Sequence, residues 1–177
     1  MVIIIQKLKA IDGETLLDMR LEPARFCVET LLPQGICILG GLPKVGKSWL
    51  VLDLCIRVSL GQPIWNLKTR KCTTLYLCLE DSYQRIQHRL SCVTGESAPD
   101  AFFAVSAGTV ADGLCGQIED FVSEHSDTGL IVIDTFQLVR NDDNDMKYST
   151  DYQDVRELKQ LADKLSVTIL LVHHLRK

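Results

Sequence analysis

Gly41-Leu42-Pro43-Lys44-Val45-Gly46-Lys47-Ser48 lies between an apolar, strand-like run, Ile36-Cys37-Ile38-Leu39, and a helix-like run, Trp49-Leu50-Val51-Leu52-Asp53-Leu54. The octet fits G-x-x-x-x-G-K-[ST], and a strand before it and a helix after it are the setting that this pattern requires. Glycines let the backbone curl so that several N–H groups point inward at anionic oxygens, and the following helix presents its positive end to the same point. The expected ligand is a nucleoside triphosphate, cradled by Gly41, Pro43, Lys44, Val45, Gly46, Lys47, Ser48 and Trp49. Lys47 is placed to reach the β- and γ-phosphates, and the Ser48 hydroxyl to ligate a Mg²⁺ ion bridging them. The plainer alternative is a glycine-rich turn that merely joins strand to helix.

Outward from the loop, apolar runs alternate with segments of helical period. That pattern predicts a parallel sheet covered by helices, an α/β fold. Strands are expected near 35–40, 73–79, 102–106, 129–134 and 167–172, and helices near 47–60, 82–94, 114–126 and 151–165. The last helix is the clearest: Val155, Leu158, Leu161, Ala162 and Leu165 share one face, while Arg156, Glu157, Lys159 and Lys164 lie mainly on the other. Gly61 to Lys71 reads as a connecting loop. Residues 1–30 read as an N-terminal arm or lead-in to a core spanning 31–177, with a turn at Asp12-Gly13 and interruptions at Pro23 and Pro33.

With 177 residues, of which 46% are hydrophobic, the chain suits one domain with a substantial core. A net charge of −4, with basic residues scattered, argues against gripping nucleic acid by bulk electrostatics, so any DNA contact has to be local or come from elsewhere. The seven cysteines (27, 37, 55, 72, 78, 92, 115) form no C-x-x-C pair and mostly lie in apolar stretches. They read as reduced core residues of a cytoplasmic protein. Val2-Ile3-Ile4-Ile5 is too short for a signal sequence, and no stretch reaches the ~18 apolar residues of a membrane span.

Ligands of open parallel sheets sit at the carboxyl ends of the strands, so the residues there are the candidates. Leu130-Ile131-Val132-Ile133 ends in Asp134, a carboxylate placed to hold Mg²⁺ through water, although a strand ending in Asp-Thr is equally a capped turn. The next residue is Thr135, so a carboxylate beside Asp134 is missing and another strand has to supply the base. Leu75-Tyr76-Leu77-Cys78-Leu79 ends in Glu80-Asp81; Glu80 is placed to orient and deprotonate a water attacking the γ-phosphate. Otherwise Asp81 or Ser82 caps the next helix and Glu80 is a solvated neighbour. Ile169-Leu170-Leu171-Val172 ends in His173-His174, where alternation sends one imidazole to each side. One of them could sense the γ-phosphate, whereas a zinc site lacks supporting ligands at the right spacing.

Together, the loop, Leu-Tyr-Leu-x-Leu-Glu-Asp-Ser, Ile-Val-Ile-Asp-Thr and Val-His-His-x-x-Lys resemble the RecA-like ATPases of the RepA helicase type, over about Phe26 to Lys177. The resemblance implies a mainly parallel twisted sheet with helices on both faces, and kinship to replicative hexameric helicases, hence a homo-oligomeric ring. It assigns Lys47 to the phosphates, Ser48 and Asp134 to the metal, Glu80 to the water and His174 to the sensor role. Arg89 matches a family arginine, although an exposed helical charge is the simpler account, and Lys177 matches a lysine able to face a neighbour's nucleotide. Family members continue past the His pair with further strands, so the expectation is a core lacking them, with turnover below ~1 s⁻¹ for want of groups such as an arginine finger. The acidic loop Asn141-Asp142-Asp143-Asn144-Asp145 reads as solvated.

The leading expectation is Mg²⁺-dependent ATP hydrolysis by the motor or loader of a plasmid, phage or mobile-element replication protein. The alternatives are a nucleotide-kinase-type phosphotransferase, for which no Arg-rich lid is visible, and a non-hydrolysing nucleotide-dependent assembly switch.

Overall fold

Leucine-rich and β-branched runs without charge form the sheet, and the amphipathic segments between them cover it. The computed structural model describes residues 8–140 and 147–175, with side chains from residue 152 onward in the second span. The acidic loop around Asp142 and the basic residue Lys177 lie outside the described residues.

The chain starts with a short helix α1 (Gly13–Asp18), capped by Asp12, and a two-stranded antiparallel ladder of β1 (Phe26–Val28) and β2 (Leu32–Pro33). Then follow β3 (Gly35–Gly41), α2 (Lys47–Leu60), β4 (Thr73–Cys78), α3 (Tyr83–Val93), β5 (Ala101–Ala104), α4 (Leu114–Glu124), β6 (Thr128–Asp134), α5 (Lys147–Leu165) and β7 (Thr168–His174). Pro33 does not interrupt regular structure as expected. It pairs with Phe26 at the end of β2, in a short ladder where a missing N–H is tolerated. Helix α5 begins at Lys147, ahead of the expected 151, because its first turn is polar and carries no apolar period.

Strands β3 to β7 form one five-stranded parallel sheet in the order β3-β7-β6-β4-β5. Period-two alternation divides the core between its faces. Tyr76, Cys78, Leu130, Val132, Leu170 and Val172 join Val51, Leu52, Cys55 and Ile86 of α2 and α3. Leu75, Leu77, Ile131, Ile133, Ile169 and Leu171 join Ile118 of α4 and Leu158 and Leu161 of α5. Helices on both faces are what strands apolar on both faces demand. Among the described residues no helix is long and apolar enough to cross a membrane.

Register decides what gathers at the carboxyl edge. Gly41 of β3 lies beside His174 of β7, and Cys78 of β4 lies beside Asp134 of β6. The phosphate-type loop, the histidine pair, Asp134 and Glu80 therefore share one rim.

Candidate nucleotide-binding site

Helix α2 begins at the end of the loop, and Gly46 sets the bend. Its φ of +95° is left-handed, a conformation that costs a residue bearing Cβ about 1–2 kcal/mol. Lys44, two residues earlier, is left-handed too, at φ +64°. No side chain caps α2 and no acidic residue lies in its first turn. By contrast, α3 is capped by the Ser82 hydroxyl, which accepts from the Arg85 N–H at 3.4 Å. The uncapped start of α2 keeps its first N–H groups and the positive end of its dipole for an anion.

Lys47 is only 7% exposed and folds back over the loop. Its ammonium donates to the carbonyls of Gly41 (2.9 Å) and Leu42 (2.8 Å) and lies 3.0 Å from His174 Nδ1. An ammonium has three donors, so a neutral imidazole with Nδ1 as acceptor completes the set, and its proton then sits on Nε2. That nitrogen is 3.8 Å from Glu80 Oε1, longer than a direct hydrogen bond yet near enough for a small rotation to close. One imidazole thus stands between the lysine of the loop and the carboxylate on β4's tip. His173, next to it, is half-buried.

Asp134 is 4% exposed. The Tyr76 hydroxyl donates to its Oδ2 at 2.7 Å, and its main-chain carbonyl accepts from the Leu79 N–H at 2.8 Å, tying the tips of β6 and β4. Burial, reinforced by the neighbouring Asp134 charge, pushes the Tyr76 phenol far above its usual range, so it stays protonated and donates. The Asp134–Thr135 peptide is cis, and the Thr135 hydroxyl donates to the Val172 carbonyl at 3.0 Å.

Asp81 is not the helix cap; Ser82 takes that place. Instead, Asp81, its side chain 8% exposed, pairs with Arg89 and, at 3.1 Å, with Arg85. Arg89 is also not the exposed helical charge expected, since its side chain is 16% exposed and its guanidinium lies 5.6 Å from the centre of the Trp49 ring. Trp49 follows Ser48 directly, so this chain of contacts locks the tip of β4 to the first turn of α2.

Ser48 and Asp134 offer a hydroxyl and a carboxylate, hard oxygen donors of the kind that Mg²⁺ takes. Among the described residues no cluster of three or more His, Cys, Asp or Glu could cage a metal. A cation here would be held by few protein oxygens plus water and phosphate, the usual manner of Mg²⁺, and the donor set fits it.

Sequence reading missed Tyr76 and the Asp81–Arg89–Trp49 chain. The available signal for Tyr76 was a hydroxyl two residues before Cys78, on the same face of a strand with no other polar group after Thr74. Nothing in the sequence paired Arg89 with Asp81 in preference to Arg85.

A left-handed bend feeding an uncapped helix at the carboxyl edge of a parallel sheet, with a carboxylate two strands away, defines a P-loop protein of RecA-like architecture. The chain belongs to the AAA domain family, whose model matches residues 6–177. Among solved structures it is similar to the ATPase domain of G40P, with a TM-score of 0.64 and 16% identity over 81% of this chain and 58% of that one. It is also similar to a DnaB-like replicative helicase described with its primase interactions, with a TM-score of 0.61 and 14% identity over 81% of this chain and 39% of that one. At such identities the likeness is one of fold, and the chain spans less than two thirds of both structures. No curated protein sequence matches it.

Proposed function

We propose that the chain binds Mg·ATP in the 41–48 loop and hydrolyses it, as the motor core of a DNA-replication helicase or helicase loader. The observation that carries this reading is His174 standing 3.0 Å from Lys47 Nζ and 3.8 Å from Glu80 Oε1. This links phosphate-binding and water-activating groups through one imidazole. On this reading Lys47 exchanges the Gly41 and Leu42 carbonyls for β- and γ-phosphate oxygens, and the N–H groups of the loop and of α2's first turn hold the rest. Glu80 takes a proton from water as the water oxygen bonds to the γ-phosphorus. The bond to the β-phosphate oxygen breaks, ADP leaves, and the proton passes to solvent with phosphate. A Mg²⁺ ion held by Ser48 and, through water, by Asp134 would neutralise charge developing on those oxygens. His174, released by Lys47 when phosphate arrives, couples occupancy of the loop to the position of Glu80.

The replication setting, in a plasmid, phage or mobile element, rests on the resemblance of the motifs, as does assembly into a homo-oligomeric ring working in the cytoplasm. The net charge of −4 gives DNA contact no support.

Calorimetry and phosphate release test the reading together. Lys47→Ala is expected to lose tight nucleotide binding, whereas Glu80→Gln keeps Mg·ATP bound and loses at least about 100-fold in turnover. Hydrolysis retained by the Gln variant removes Glu80 from the mechanism. A folded wild-type protein that gives no heat with millimolar Mg·ATP removes the whole reading. Phosphate release at background, with Mg·ATP changing the scattering mass, would favour the assembly switch; diphosphate formed from added nucleoside monophosphate would favour the phosphotransferase.

A further inference from the structure

Among the described residues, Tyr76 is the largest buried side chain carrying a hydroxyl on the α2 face of the sheet, at 2% exposure. It lies opposite Val132 on β6, so its phenol reaches diagonally past one residue pair to Asp134. The ring is held from the other side by Phe103 of β5, edge-on, with centroids 6.2 Å apart and planes at 63°. A phenol fixed on both sides and donating at 2.7 Å commits Oδ2 of Asp134 and leaves Oδ1 to receive a metal-bound water.

We propose that Tyr76 is a positioning residue: by holding Oδ2, it fixes the rotamer in which Asp134 meets the divalent cation. This rests on the Mg²⁺ role of Asp134 proposed above. A carboxylate without the phenol would turn about its Cβ–Cγ bond, and the oxygen offered to the metal would change. Partners that orient metal-binding groups typically account for 10- to 100-fold in metal affinity or activity.

The test is Tyr76→Phe, which keeps the ring and removes the hydroxyl. Mn²⁺ affinity in the presence of ADP is read by electron paramagnetic resonance, and ADP affinity in chelator by calorimetry. The expected result is Mn²⁺ affinity weakened about tenfold with metal-free ADP affinity unchanged. A hydroxyl that serves only the core would lower the unfolding midpoint and leave the Mn²⁺ curve in place, which overturns the proposal. In an Asp134→Asn background, Tyr76→Phe is expected to add no further loss of Mn²⁺ affinity; an undiminished further loss overturns the proposal as well. Wild-type protein that binds ADP without any gain from Mn²⁺ sinks the underlying metal reading and the proposal with it. Wild-type gain with an unshifted Tyr76→Phe curve sinks the proposal alone.

Discussion

Arg85 and Arg89 reach the same carboxylate from α3, but they differ in what surrounds them. The Arg85 side chain is 64% exposed and Arg89 16%. Water screens the first pair, and exposed pairs are worth little; the second is largely withdrawn from water and rests on Trp49. Asp81→Ala should therefore cost about 2 kcal/mol through loss of the Arg89 partner, and Arg85→Ala less than about 0.5 kcal/mol. Urea unfolding of the two variants checks the order, and equal losses would show that exposure is not what separates the arginines. Of the candidate residues, Lys47 and Ser48 take their proposed roles from the loop pattern itself, while Asp134 at a strand end was even with a capped turn until set beside that loop. Glu80 and His174 stayed ambiguous in the sequence, since a strand-end carboxylate or imidazole has ordinary structural uses. Only the approach of His174 to Lys47, and of Glu80 to His174, makes them a group.

At the scale of elements, α5 shows what periodicity can deliver. Leu158, Leu161 and Ala162 are buried as their spacing requires, and Lys159 and Lys164 are exposed. Strand β6 shows what it cannot. Gly129 precedes the apolar run of β6 for reasons of space: a Cβ there would stand 2.4 Å from Cys72 Sγ and 2.7 Å from Arg70 Nη2. Arg70 is exposed and can withdraw, but Cys72 is buried at 4% beside Cys27. The Cys27 thiol donates to the Gly129 carbonyl at 3.0 Å. Its pKa is lowered from that of a free thiol, mainly because the Cys72 side chain hydrogen-bonds to its sulfur. Gly129→Ala is expected to cost about 1–3 kcal/mol by overpacking. A variant with wild-type unfolding midpoint would mean that this end of the sheet repacks freely.

Over the whole molecule, burial separates the cysteines that sequence reading took mostly as core. Cys27, Cys55, Cys72 and Cys78 are buried, Cys37 and Cys115 half-buried, and Cys92 exposed. Burial also pushes the Cys78 thiol up to about 12 and Cys55 higher still, so neither offers thiolate near neutral pH. Iodoacetamide at pH 8 should label Cys92 first, Cys37 and Cys115 more slowly, and Cys55 and Cys78 only once denaturant unfolds the chain. Mass spectrometry of timed samples reads the order, and early labelling of Cys55 or Cys78 would contradict the described core. The N-terminal residues were the least legible: α1 buries none of its residues, so no apolar period marks it, while Cys27 and Val28 join the core through a ladder too short to show alternation.

The sequence by itself determined the loop and its bend, the five strands of the main sheet with the four helices that cover them, and which strand tips carry charge. All of these are written in residue type and spacing within about 20 neighbouring positions. Only the tertiary structure decided the strand order β3-β7-β6-β4-β5. That order sets His174 beside Gly41 and Lys47, brings Glu80 within 3.8 Å of the same imidazole, and aims Tyr76 at Asp134. Pairing between parallel strands is non-local and each of these strands is apolar on both faces, so no local pattern distinguishes one neighbour from another. The choice is made by how helices pack over the assembled sheet.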